Sequence, residues 1–226
     1  MFEVEKIYNE GKLLVRAMNF PQISRVHSEL VYDCSTWANE FSMLMDGNLN
    51  SASSTLIIPG VGVSTYKNIG FLIDSDKANC FHIAKSDSGS SGRLIDGDFL
   101  AVNPDFQTIN ELANYIKTSG DTIMNEVNIV ASLDSVVGLF FIESPNPITL
   151  LRRLYVAKEC IKDITGIDYP IYSYDRKNGR LNNFVLTDEI LEYIIQGLKC
   201  NKLFYWPDNY KEPVEKEIGS TNSLKL

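Results

Sequence analysis

Histidine, basic charge and long apolar runs are all scarce in this chain of 226 residues, and each shortage removes a class of function. Two histidines, His27 and His82, leave few schemes built on imidazole. Twenty-one Lys and Arg face 29 Asp and Glu, for a net charge of −8 and a pI near 4.8. A protein that grips nucleic acid needs a cationic footprint for the phosphates, so none is expected as a partner. No window holds the 18 apolar residues of a spanning helix. The opening MFEVEKIYNEGKLLVRAM carries acids where an N-terminal leader needs bases. No Walker loop, GxGxxG, HExxH or serine nucleophile elbow occurs, so no cofactor or metal is expected. The four cysteines, Cys34, Cys80, Cys160 and Cys200, include no CxxC pair. Free thiols in a reducing cytosol are the expected state.

What is there is the composition of a globular protein, 44% hydrophobic and 11% aromatic, too apolar to stay disordered. From Pro21 to Met45, apolar residues recur in steps of three and four: Ile23, Val26, Leu30, Cys34, Trp37, Ala38, Phe41, Leu44 and Met45. That spacing predicts one long helix, opened by Pro21 and stopped at Asp46-Gly47-Asn48. The run Thr55–Ile58, closed by Pro59-Gly60, reads as a strand. Ile69–Ile73 and Cys80–Ala84 flank Asp74–Lys77 as a hairpin would, and Asp98–Val102 reads as a further strand. Thr108–Thr118 has a helical face of Ile109, Leu112, Ala113 and Ile116, and Val127–Leu133 and Val136–Ile142 are apolar runs. A second long helix is predicted from Asn146-Pro147 to Gly166, with Leu150, Leu151, Leu154, Ala157, Cys160, Ile161 and Ile164 on its buried stripe. Tyr169–Tyr174 and Arg180–Leu186 bracket the hairpin dipeptide Asn178-Gly179, and Thr187 caps a last helix. Strand pairs outnumber strand–helix alternation, which points to an α+β fold. The expected organisation is one domain over 1–210, a mostly antiparallel mixed sheet packed by two long amphipathic helices, and an exposed polar tail over 211–226.

Three residues carry the sharpest chemical expectation. A thiol attacks as the thiolate, a form favoured at a helix start beside an imidazole that a carboxylate or amide orients. Cys34 in Tyr32-Asp33-Cys34-Ser35, His82 on a strand, and Asn103 at a strand end (with Asp105 as its alternative) supply those groups in that order. The competing expectation is plain. On an unbroken Pro21–Met45 helix Cys34 faces the core, where its pKa rises and it does no chemistry. Cys80-x-His82 on a regular strand would share a face, but further metal ligands at helpful spacing are missing. Arg152-Arg153 near a helix start oppose the macrodipole and call for a compensating partner.

The Cys34, His82, Asn103 order is similar to that of papain-like and transglutaminase-like folds. DCSTWANEFSML resembles their cysteine helix and VNPDF their VDP, with Asn in place of Asp. The resemblance implies a cysteine hydrolase or acyltransferase, with amide hydrolysis, deamidation or transamidation of a protein substrate as its reaction. Arg152–Phe184 is faintly similar to the cofactor half of GNAT acetyltransferases, but Glu143-Ser-Pro-Asn-Pro147 replaces the glycine loop that holds the pyrophosphate. The tail, with Glu212, Glu215, Glu217 and a final Leu224-Lys-Leu226, resembles the C-terminal signals of type IVB-secreted bacterial effectors. That resemblance implies synthesis in a bacterial cytosol and export into a host cell. The alternative function is a non-catalytic protein-binding or structural module.

Overall fold

The computed structural model describes residues 3–17, 22–26, 29–33, 41, 43–47, 49–65, 67–86, 104–119, 124–196, 201–205 and 214–218. For 22–26, 29–33, 49–52, 195–196, 201–205 and 214–218 it describes the backbone alone. In chain order the elements are α1 (Val4–Asn9), β1 (Leu13–Ala17), β2 (Gln22–Val26), β3 (Glu29–Asp33), β4 (Leu49–Ile57), β5 (Ile69–Asp74), β6 (Asn79–Ala84), α2 (Ile109–Ser119), β7 (Glu126–Ala131) and β8 (Val136–Ile142). There follow α3 (Ile148–Thr165), β9 (Ile171–Asp175), β10 (Arg180–Phe184), α4 (Asp188–Gln196), β11 (Asn201–Tyr205) and β12 (Val214–Ile218).

Eight strands form one sheet in the order β10-β9-β8-β5-β1-β4-β7-β6. All neighbours run antiparallel except β8 and β9, which are parallel and joined through α3. The fold is α+β, as expected. The central strands β5 and β8 are apolar at nearly every position because both their faces are covered. On one face Leu14, Leu56, Phe71, Ile73, Ile83, Val127, Ile129 and Leu139 share a core with Leu112 and Ile116 of α2 and Leu151, Leu154, Cys160 and Ile161 of α3. On the other, Val4 and Tyr8 of α1 pack on Leu13, Val15, Leu72, Phe140 and Tyr174. Tyr8 donates its hydroxyl hydrogen bond to Gly179 O at 2.6 Å, and Gly60 N–H donates to the same oxygen at 2.9 Å. Those bonds tie the first helix and the turn after β4 to the β9–β10 hairpin.

Several local readings stand as drawn. The Thr108–Thr118 helix is α2; its start also carries a reciprocal cap that was not foreseen, Thr108 and Glu111 each accepting from the other's N–H. Thr187 accepts from Ile190 N–H at the start of α4. Gly166 ends α3 in the left-handed conformation, and Asn178-Gly179 turns the β9–β10 hairpin with Asp175 opposite Arg180. At the start of α3, however, Pro147 holds the cap position without a side-chain bond, so Asn146 does not cap it.

Three expectations are corrected. The Pro21–Met45 helix is interrupted: Gln22–Val26 and Glu29–Asp33 are strands, paired antiparallel with Val26 opposite Glu29. Helical residues return at 41 and 43–45. The β-branched Ile23, Val26 and Val31 suit a pleated strand, and β11 supplies a parallel partner for β3 from far along the chain. No local periodicity reveals such a partner. These strands belong to a four-stranded sheet of order β12-β11-β3-β2. Secondly, Val214–Ile218, inside the expected tail, is a strand opposite β11. Thirdly, Asp74–Lys77 does not close a hairpin. Lys77 and Ala78 donate their N–H groups to Asp74 O, which makes a turn of helical type. β5 pairs β1 and β8, whereas β6 pairs β7 at the far edge. Five residue steps reach at most about 18 Å, and four strand spacings in a flat sheet already need about 19 Å. The sheet therefore curls around the core it shares with α2. The Asp98–Val102 strand lies outside the described residues.

Candidate functional site

The sequence places His82 in a strand, but an irregularity in that strand decides where it points. On β6, Cys80 stands opposite Ile129 while His82 stands opposite Asn128. Two steps along β6 thus match one along β7, and Phe81 is the extra residue of a β-bulge. Adjacent residues of β7 face opposite sides of the sheet, so Cys80 and His82 do as well. This overturns the expectation that the pair shares a face. Cys80 joins the core beneath α2, Phe81 is exposed, and His82 faces the other side.

On that side Asn128 is the middle of a polar row, with His82 of β6 opposite it on one flank and Ser53 of β4 on the other. Glu126, two residues away along β7, shares the face. Asn128 is 0% exposed and His82 6%. Neither the Nδ2 nor the Oδ1 of Asn128 has a hydrogen-bond partner. The neighbouring buried amide behaves quite differently. Asn125 accepts from Leu56 N–H at 2.8 Å and donates to Leu56 O at 3.0 Å, and the Ser54 hydroxyl donates to Val127 O at 2.7 Å. An unpaired buried amide costs about 1–3 kcal/mol, so Asn128 stands out against its surroundings.

Cys34 and Asn103, the other two members of the sequence-derived set, lie outside the described residues, as do His27 and Cys200. Their chain neighbours are informative. β3 ends at Asp33, and Pro104–Phe106 run along the outer edge of β6. There the N–H groups of Asp105 and Phe106 donate to Ile83 O at 3.0 and 3.2 Å. Asp105, the alternative to Asn103, accepts from Lys85 N–H at 3.0 Å and lies 3.7 Å from the Lys85 ammonium. Its carboxylate is thus engaged by Lys85. Asn128 escaped the sequence reading because it sits inside the apolar run Val127–Leu133. A lone amide among Val127, Ile129, Val130 and Ala131 was the available signal.

Elsewhere, a cavity of about 360 Å³ is bordered by Lys12, Ser75, Asp76, Cys80, Thr108 and Asn110. Burial, together with the Asp76 carboxylate, pushes the Cys80 thiol up to about 11, so at neutral pH it is a thiol and a poor nucleophile. Arg152 lies with its guanidinium carbon 5.9 Å from the centre of the Tyr193 ring, which gives the cation at the head of α3 an aromatic partner. Among the described residues, no group of three or more His, Cys, Asp or Glu is placed to hold a metal ion. Among them, too, no helix is long and apolar enough to cross a membrane. The chain matches no protein-family model, and no curated protein matches it.

Proposed function

We propose that the protein acts on other proteins by thiol-dependent acyl transfer, with Cys34 as nucleophile, His82 as base and Asn103 in the set. The observation that carries this reading is the β6 bulge, which turns the imidazole onto the face of the buried, unpaired amide of Asn128. The strands at 22–26 and 29–33 support it further, because they interrupt the helix that would have made Cys34 a core residue. In the reaction His82 takes the thiol proton and the Cys34 sulfur attacks the carbonyl carbon of an amide. The C–N bond breaks as His82 returns the proton to the departing nitrogen, leaving a thioester. Water or an amine then displaces the sulfur, giving hydrolysis or deamidation with the first and transamidation with the second. Export through the C-terminal end completes the proposal. The small polar residues and terminal leucine of that signal lie at 219–226, past the end of β12 at Ile218. Deleting only 219–226 tests this without cutting a strand; unchanged export of the folded protein removes the effector half of the proposal.

A non-catalytic binding module is the second reading, favoured by the exposed aromatics Phe81 and Tyr115, the latter 5.4 Å from the Phe106 ring. Alkylation separates the two. In a Cys200→Ser background, Cys34 should react with iodoacetamide near pH 6, where an ordinary thiol is almost wholly protonated. His82→Gln should slow it about tenfold or more, the scale of a lost general base. A Cys34 that stays unmodified, or reacts as an ordinary thiol in both proteins, defeats the enzyme reading.

A further inference from the structure

We propose that Asn128 is the positioning residue for His82: its Oδ1 accepts the Nδ1–H and thereby fixes the tautomer that leaves Nε2 as the free base. The inference rests on the thiol reading above for its purpose, but its geometry stands apart from it. His82 and Asn128 are directly opposed across β6 and β7. Residues so placed have Cβ atoms about 4.5–5.5 Å apart. Oδ1 and Nδ1 each lie two bonds beyond Cβ, so side-chain rotation brings them within hydrogen-bond reach. Asn128 is fully buried with both amide atoms unpaired. No hydrogen bond within the described residues occupies the His82 ring.

Among the described residues, the other groups that could orient the ring, Asp105 and Glu126, are worse placed. Asp105 is engaged by Lys85. Glu126 shares the face but is the diagonal neighbour of His82, its partner across the strands being Ala84. Diagonal neighbours are about 7–8 Å apart at Cα. The bulge also gains a purpose. Were β6 regularly paired through Phe81, the His82 side chain would lie on the same face as Cys80, away from Asn128. Hydrogen bonds of this kind are often open in a resting protein and close when the site is engaged. The second ring nitrogen of a working imidazole is commonly held in this way.

The test reads the tautomer directly. A His27→Gln background leaves one imidazole, whose ring nitrogens are followed by long-range proton–nitrogen NMR on the labelled full-length chain. The expected result is an Nδ1-protonated, Nε2-free ring above the imidazole pKa. Asn128→Leu should return it to the Nε2-protonated form that free imidazole prefers, and slow Cys34 alkylation near pH 6 about tenfold. Asn128→Asp should keep the Nδ1 proton and shift its NMR signal downfield, as the stronger hydrogen bond to a carboxylate does. An Nε2-protonated ring in the parent protein, or a tautomer indifferent to Asn128→Leu, overturns the inference. Should Asn128→Leu fail to fold, the parent tautomer and the Asn128→Asp shift decide it. Cys34 activated by His82 with no effect of Asn128 defeats this inference alone. An Asn128-dependent tautomer beside an ordinary Cys34 defeats the thiol reading alone.

Discussion

Replacing Asn128 by leucine should make the protein more stable. The amide is fully buried and both of its polar atoms lack partners in the resting structure. Leaving such a group unsatisfied costs about 1–3 kcal/mol. Leucine has nearly the same shape and nothing to satisfy, and burying its apolar atoms adds a transfer gain on the scale of about 0.8 kcal/mol per methylene. Some of this is lost where the two branches do not superpose, since misfit in a packed strand costs about 1 kcal/mol or more. The net expectation is a gain of about 1–3 kcal/mol, read as a higher urea midpoint at unchanged slope. A conservative change that stabilises while weakening a site is the usual signature of a functional residue. Destabilisation by more than about 1 kcal/mol would refute the reasoning, because it would mean that the amide is hydrogen-bonded in the resting protein.

Leu154→Ala, at a fully buried position of α3 facing the sheet, should lose about 2–5 kcal/mol in urea unfolding; a loss under about 1 kcal/mol would show that α3 does not seal that core. Gly70→Ala should be strongly destabilising, since a Cβ there meets the Arg16 carbonyl oxygen and stands 2.7 Å from Phe140 Cε1; a thermal midpoint equal to that of the parent would contradict the β1–β5–β8 packing. Burial raises the pKa of Tyr8, Tyr155, Tyr169, Tyr172 and Tyr174, the second, third and fifth to about 12. Their stabilising contribution is complete below the unfolded value of about 10 and disappears as pH rises through the folded values. Absorbance of phenolate should therefore show these tyrosines ionising late, together with alkaline unfolding. Cys80 and the buried Cys160 should resist iodoacetamide at neutral pH in the native protein, by mass spectrometry of the peptides; rapid labelling of Cys80 would contradict its burial.

The elements that the sequence determined by itself are those whose information is local. The apolar face of the Thr108–Thr118 helix, the stripe from Leu151 to Ile161, the Thr187 cap and the Asn178-Gly179 turn each depend on residues a few positions apart, so periodicity and cap chemistry reveal them. His82 was visible as one of only two imidazoles, and Cys34 as a thiol beside an acid. The tertiary structure decided the rest. Ile23, Val26 and Leu30 satisfy helical spacing, yet β3 finds its partner in Leu203 and Phe204, about 170 residues further on. Asp74–Lys77 looks like a hairpin turn, yet the edges of β5 are taken by β1 and β8. The bulge that aims His82 at Asn128 is a mismatch in counting between two strands, so it belongs to neither strand's own sequence. A strand's register is settled by which neighbour buries its faces most completely, and that comparison is made over the whole chain at once.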